Sequence, residues 1–592
     1  MQIKYLDGRR LYYAVLAGGH AVIRDRDFLN RINVFPVPDA DTGTNLASTM
    51  RAIRRRANAF RSPRETLTSI ADAALNGARG NSGLIFAQFL VGLSLEIRND
   101  FRLTAGQFAE AVHRAARHAR RAVINPVEGT MLTVMQDWAE ALYRERHKLE
   151  DFVDLMALSL REAERSLKDT TRRLAVLARA GVVDAGAKGF FDFIEGISHF
   201  IRKGDIKAVL KTGEQDIRVE TEPLESRNEP TTRFCTEALI VGEKLHASDL
   251  KAVANEVGES VVVAGTDSKL RVHVHTDRPA ELFTAVGRLG EIVEVKADDM
   301  RRQYEAGHAR LCDTAIITDS TCDLPDELLD RHQVHMIPCL LSFGGSVFLD
   351  RVTMTSEKFY RFLESSREMP KSAQPSLETV QRQVEFLVNH YPSIIALTIS
   401  DKLTGIYGQL DGLRASLNLP DFHVVNSRNL SAGLGLLVLR AAEALEAGEP
   451  AAAVAEKAEQ WVSRTRLYVD VRTLKYMVRG GRVGRAKGLL AAALNIKPII
   501  SLDSEGKAVA LGKSFSRRGN AKKILSMIEK ESRGRQVWNY AVVHARNPER
   551  AAYYGDKLTG ILGKPPLFIN EISPVIGVHN GIGVVGVCLM YE

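Results

Sequence analysis

Cysteine is scarce in this chain. Five are spread over 592 residues (Cys235, Cys312, Cys322, Cys339 and Cys588), odd in number and with no Cys-x-x-Cys pair. That favours a reducing compartment over a disulfide framework. Long apolar runs are also missing: no stretch reaches 18 residues, so a membrane-spanning helix is not expected. Leu11–Ile23, behind Lys4, Arg9 and Arg10, imitates a signal peptide. Asp7 interrupts its basic flank, however, and His20 with two glycines breaks its apolar segment, so the expectation is a cytoplasmic protein. Nor is there a large excess of one charge. A formal charge of +8, with pI near 9.1, is modest for this length. It permits attraction to phosphate-bearing ligands or anionic lipid without announcing nucleic acid, which is not expected as a partner.

What is present is ordinary globular composition, 45% hydrophobic and 26% charged, at a length that calls for three or four domains. Residues 1–205 read as helix. Leu84–Leu95, Phe108–Val123, Met131–Tyr143, Phe152–Leu167 and Ala187–Phe200 repeat apolar positions three and four apart, with glycine and proline between them. An antiparallel all-α bundle or barrel is the natural architecture, with its loops able to gather at one end. Residues 206–232, polar and carrying Pro223 and Pro230, read as a linker. Residues 233–310 read strand 234–241, helix 247–257, strands 260–265 and 269–276, helix 279–288 and strand 291–296, a ferredoxin-like βαββαβ order. From 311 to 592 apolar strands alternate with helices, predicting a two-lobed α/β domain with ligands at the strand ends.

Four patterns carry chemistry. In Asn33–Leu46 (NVFPVPDADTGTNL), two prolines stiffen an extended approach to Asp39 and Asp41. Two carboxylates on a rigid loop are costly without a cation between them, and a hard divalent ion is the usual answer; the alternative is a turn with a helix N-cap. Gly77–Gly83 (GARGNSG) offers small residues and backbone N–H groups before a helix, either a phosphate cradle or an ordinary helix start. Cys235 with His273 and His275 sets three soft or borderline ligands on neighbouring strands. These suit zinc, or are half-exposed strand histidines beside a buried thiol. Arginines at 51, 54, 55 and 56, and at 114, 117, 120 and 121, mark solvated helix faces or a membrane-surface patch.

These residues also carry a resemblance. NVFPVPDADTGTNL, GARGNSG, PVEGTM and VVDAGAKG resemble the nucleotide-binding domain of the dihydroxyacetone kinase L-subunit (DAK2) family, closest to the catalytic subunit of bacterial fatty acid kinase. FCTEALIV and RVHVHTDRP look like that subunit's middle domain. AIITDSTCDLP, KSAQPS, ISDKLTGIYGQL, VRGGRVG and VIGVHNGIG resemble the DegV family of fatty-acid-binding proteins. The resemblance implies a kinase fused to its lipid carrier, forming an acyl phosphate from ATP and a fatty acid. It implies Asp39 and Asp41 as Mg²⁺ ligands, with Asn33 a weaker one upstream. Thr42, Thr44 and Asn45 would reach phosphate oxygens or waters. Gly80, Asn81, Ser82 and Gly83 would cradle phosphate, and Thr130, Met131, Asp184 and Gly186 would line the nucleotide. In the carrier, Ser372, Thr404, Arg482 and His579 would hold the carboxylate. Here Ser372 stands where the family usually has Thr and Thr404 where it has Ser, both hydroxyls. Gly480, Gly481 and Gly484 would let backbone approach beside Arg482.

A carboxylate is ionised at neutral pH, so the transfer needs no general base. It needs in-line placement and charge neutralisation, with Asp39, Asp41, Arg482 and His579 as the catalytic set. The partners expected are a long-chain fatty acid, a downstream acyl-phosphate acyltransferase, a second copy in a homodimer, and peripheral contact with the inner membrane face. Two other readings stand beside this one: a lipid-binding regulator with an inactive kinase domain, and a kinase for a small hydroxy-ketone. The intact Asp39/Asp41 pair argues against the first, and nothing resembling a hemiaminal-forming domain argues for the second.

Overall fold

The computed structural model describes residues 2–35, 40–98, 100–204, 229–366, 368–417, 419, 421–480 and 497–592. Asp39, Gly481, Arg482 and Gly484, and the expected linker up to residue 228, lie outside the described residues. The chain divides into two compact units, Met1–Tyr304 and Glu305–Glu592.

In the first unit, the stretch that imitates a signal peptide is helix Gly8–Arg24, opened by Asp7, whose side chain accepts the Arg10 N–H at 2.8 Å. Its apolar residues Leu11, Val15 and Val22 are buried in the core. Helices Thr42–Arg56, Pro63–Gly77, Gly80–Glu96, Ala105–Ala122, Met131–Glu145, Phe152–Arg173 and Ala185–Lys203 follow. Each packs on the next, and the last returns to Gly8–Arg24, which also packs on Thr42–Arg56. The ring is therefore a closed helical barrel. Closure depends on two glycines: a Cβ on Gly18 would lie 2.6 Å from the Phe193 carbonyl, and one on Gly196 2.8 Å from that of Ala17. Aromatic rings fill the interior, with Phe86 on Phe193 at 4.8 Å between centroids, Phe89 on Phe190 at 5.7 Å and Trp138 on Phe190 at 5.6 Å.

Helix Gly80–Glu96 is apolar nearly all round, which means burial on both sides. Its outer face is covered by the middle sheet, whose Leu239, Val262 and Ala264 join the barrel's hydrophobic core. That sheet is antiparallel, in the spatial order Glu259–Gly265, Lys269–Thr276, Phe234–Val241, Glu291–Asp299, with helices Ala247–Val257 and Pro279–Val286 in the βαββαβ order.

The second unit has two lobes. One is built on a parallel sheet ordered Phe422–Asn426, Ser393–Thr398, Thr314–Asp319, His335–Ile337. The other is a six-stranded sheet ordered Ala508–Ser514, Lys497–Leu502, Thr465–Asp470, Val585–Tyr591, Val537–His544, Ile569–Glu571, in which only the last pair is parallel. Alternating strands and helices do not specify strand direction, and here a hairpin (497–514) and the C-terminal strand make the sheet mostly antiparallel. Among the described residues no helix is long and apolar enough to cross a membrane.

Candidate functional site

Up-and-down topology places the N-termini of Thr42–Arg56, Gly80–Glu96, Met131–Glu145 and Ala185–Lys203 at one end of the barrel, where four helix dipoles present their positive ends. Contacts confirm the gathering. A Cβ on Gly80 would lie 2.3 Å from Asn45 Nδ2, one on Gly189 2.4 Å from Leu46, and one on Gly186 3.1 Å from Met131 Cε. The two motif loops, Thr42–Asn45 and Gly80–Gly83, thus meet. Asp41 stands at the N-cap position of its helix, yet its side chain makes no capping bond, which leaves the carboxylate available to a cation. Asn33 is buried, with its N–H on the Asn30 carbonyl at 3.2 Å, and Thr42 begins the helix, also buried. Thr44 is tied down by Asn30, which donates to its hydroxyl at 2.9 Å and accepts its N–H at 3.0 Å. Asn81 Oδ1 and Ser82 Oγ are buried without a hydrogen-bond partner among the described residues; the Ser82 hydroxyl can donate to a phosphate oxygen, and Asn81 Oδ1, an acceptor, fits a water of a hydrated Mg²⁺.

Thr130 and Asp184 do local work as well. Thr130 caps the loop before Met131–Glu145, its hydroxyl donating to the Val127 carbonyl at 2.8 Å. The Asp184 carboxylate accepts the Ala187 N–H at 2.7 Å and the Met131 N–H, joining two helix starts. Burial pushes it up to about 6 against those two donors.

The middle sheet turns a polar face to this end. Register places Cys235 opposite His275 and Glu237 opposite His273. The ligand atoms of Cys235, His273 and His275 all lie within 4.8 Å of one another, and Cys235 Sγ is 3.9 Å from His273 Nδ1. Both imidazoles are buried, which overturns the reading of half-exposed strand histidines, and His273 Nε2 has no hydrogen-bond partner among the described residues. Burial, then His273 and Lys296, pushes His275 down to about 3, so its imidazole is neutral. Burial pushes the Cys235 thiol well up; Lys296 opposes, while Asp298, Glu237 and Asp41 add to the rise. One thiol and two buried imidazoles, one of them with an orphaned nitrogen, are a donor set that fits a metal such as zinc. Sequence reasoning missed Glu237, which is fully buried and accepts the Gly80 N–H at 2.8 Å. Its only sequence signal is strand alternation, which puts it on the face of Cys235.

In the second unit Ser372, Thr404 and His579 line one cavity of about 1080 Å³, otherwise walled largely by apolar side chains such as Ile399, Leu467, Met477 and Ile500. Ser372 Oγ and His579 Nε2 are 2.8 Å apart. His579 rides on the short helix Pro574–Asn580, whose first residues are pinned by buried acids. Asp323 accepts the Ser573 N–H at 2.8 Å, and Asp350 the Val575 N–H at 3.1 Å with the Ser320 hydroxyl at 2.6 Å. Burial pushes Asp350 up to about 7. Gly480 is required beside the imidazole: a Cβ there would lie 2.3 Å from His579 Nδ1. The cavity is large enough for a long acyl chain, and Lys513 and Lys523 also belong to its lining.

Family models match three consecutive segments: a DAK2 domain at 36–199, the middle domain of FakA-like fatty acid kinases at 231–307, and the uncharacterised DegV protein family at 313–592. Uncharacterized proteins of Staphylococcus epidermidis and Staphylococcus haemolyticus are 32% identical over 345 residues and 31% over 350. The matches take in 54% and 55% of this chain and 62% and 63% of the relatives, so the chain spans less than two thirds of their length. Among solved structures, DegV, a fatty acid binding protein from Bacillus subtilis, is 25% identical with a TM-score of 0.43, over 48% of this chain and 100% of that one. A fatty-acid-binding DegV family protein from Thermus thermophilus is 28% identical with a TM-score of 0.44, over 47% and 99%. The chain therefore joins a DAK2 domain, a FakA-like middle domain and a DegV-family domain in one polypeptide.

Proposed function

We propose that the chain transfers the γ-phosphoryl group of ATP to the carboxylate of a fatty acid held in the cavity of its DegV-family domain, giving an acyl phosphate. What carries the reading is one coincidence: a fatty acid kinase-like half, with polar atoms at gathered helix N-termini that have no partner among the described residues, shares a chain with a largely apolar cavity lined in part by Ser372 and His579. Asp41, with Asp39 of the same loop and Asn33 upstream, would hold Mg²⁺, which supplies charge neutralisation for the phosphates. The N–H groups at the start of Gly80–Glu96 and the side chains of Asn81 and Ser82 would orient the phosphates. Ser372 and His579, with Thr404 and Arg482, would hold the carboxylate with one oxygen directed outward. That oxygen is already ionised, so no proton has to move before it attacks phosphorus. The product is a mixed anhydride, fit for an acyltransferase that consumes acyl phosphates.

Cys235, His273 and His275 would hold zinc, a structural ion of the middle sheet facing the nucleotide end. Metal analysis tests this: zinc bound to the wild-type chain and lost from C235S supports it, and zinc-free, fully folded wild type removes it. The activity is tested by incubating the chain with ATP, Mg²⁺ and a long-chain fatty acid and trapping acyl phosphate with hydroxylamine. Acyl hydroxamate that depends on ATP is expected; none above the ATP-free control refutes the proposal.

A further inference from the structure

Glu237 lies on Phe234–Val241, an inner strand of the middle sheet, with its side chain only 1% exposed. Its Oε1 accepts the Gly80 N–H at 2.8 Å, a contact between residues 157 positions apart. Its Oε2 faces Arg79 Nη1 at 3.4 Å and Arg271 Nη1 at 3.3 Å, while Lys296 Nζ and His273 Nδ1 each stand 3.8 Å from Oε1. Arg271 and Lys296 have acids of their own in Glu294 and Asp298, so Arg79, the residue preceding the turn, is the cation left to balance Glu237. A buried carboxylate is tolerated only with such partners, and removing one side of the network is disruptive.

The acceptor matters because of where it sits. Gly80 is the first residue of its helix and holds φ +58, a left-handed conformation natural to glycine, with Asn45 filling the place of a side chain. The first N–H groups of a helix have no acceptor within it. Glu237 takes the first, and the N–H groups of Asn81 and Ser82 are the next donors of the same turn. Asn81 Oδ1 and Ser82 Oγ, buried and without a partner among the described residues, belong to those two residues.

We propose that Glu237 is a positioning residue of the phosphate cradle: fixed by the middle sheet, it clamps the turn at Gly80 so that Asn81 and Ser82 are presented to the nucleotide phosphates. The inference rests on the kinase reading of the barrel and extends it. The nucleotide site is completed by a second domain, and strand Phe234–Val241 joins it to the Cys235 cluster.

The full-length chain carries the test. In E237A, amide exchange at Gly80–Gly83 should speed up while the rest of helix Gly80–Glu96 stays protected. MgADP affinity should fall about tenfold or more, as expected when a hydrogen bond to a charged group is lost. E237Q, which keeps an acceptor oxygen but not the charge that balances Arg79, should perturb both less than E237A does, and fatty acid affinity should be unchanged in either variant. If E237A does not fold, E237D, with its carboxylate one methylene short of Gly80, carries the same expectation. Unchanged exchange and MgADP affinity in the variant overturn the proposal, as does equal weakening by E237Q and E237A. Wild type that binds no MgADP refutes the kinase reading instead, and amide exchange at Gly80 then decides the clamp by itself.

Discussion

Where the helical barrel meets the middle sheet, a polar site is assembled from helix N-termini, a loop carboxylate and one buried acid. In the DegV-family unit a cavity of about 1080 Å³ is walled mainly by apolar side chains and has the Ser372–His579 pair in its lining. In the first, Asn81 Oδ1 and Ser82 Oγ are buried with no hydrogen-bond partner among the described residues. The second is a largely apolar volume whose lining includes the Ser372 hydroxyl and the His579 imidazole. One site is specified by charge and the other by shape, so substitutions should separate them.

The largest separation is expected from D41A. Removing the uncapped carboxylate should slow phosphoryl transfer at least about 10²-fold and leave fatty acid binding intact. Equal losses in both would mean that the two sites are not independent. G480A should do the converse on a smaller scale. The new methyl cannot coexist with His579 Nδ1 at 2.3 Å, so the imidazole must move away from Ser372. Fatty acid affinity should fall about tenfold with the KM for MgATP unchanged, as titration with a fluorescent fatty acid would report.

The smallest effect concerns the acid behind the His579 helix. Burial raises Asp350 to about 7, so between the ordinary carboxylate range and that value the folded chain holds a proton that the unfolded chain has released. The stability this contributes is present at low pH and is lost as pH rises to about 7. D350N has no such proton to lose. Its melting temperature should gain on the wild type by a few degrees between about pH 5 and about pH 8. Parallel pH curves for the two proteins would contradict the assignment.

The same contrast explains what is legible without the fold. The polar site is announced by contiguous motifs, because its two loops, NVFPVPDADTGTNL and GARGNSG, each keep their polar and small residues side by side in sequence. The helical barrel and the βαββαβ sheet are legible for a similar reason, since each element's period is local. Glu237 is not legible: its partners come from positions 79, 80, 271, 273 and 296, and an acid in a strand ordinarily faces water. Asp184 reads as a nucleotide contact on resemblance, and the fold shows its carboxylate also holding two helix starts together. The cavity draws its walls from positions 321 to 580, and no local pattern marks a residue as lining empty space. Strand direction in the second lobe is equally hidden, because apolar alternation is the same for parallel and antiparallel partners.

The central claim is that a carboxylate oxygen of the bound lipid becomes bonded to phosphorus. A fatty acid labelled with ¹⁸O in its carboxylate, turned over with ATP and then treated with hydroxylamine, tests this directly. Hydroxylamine attacks the acyl carbon, so the phosphate released should carry ¹⁸O by mass spectrometry. Phosphate released without the label would contradict the account.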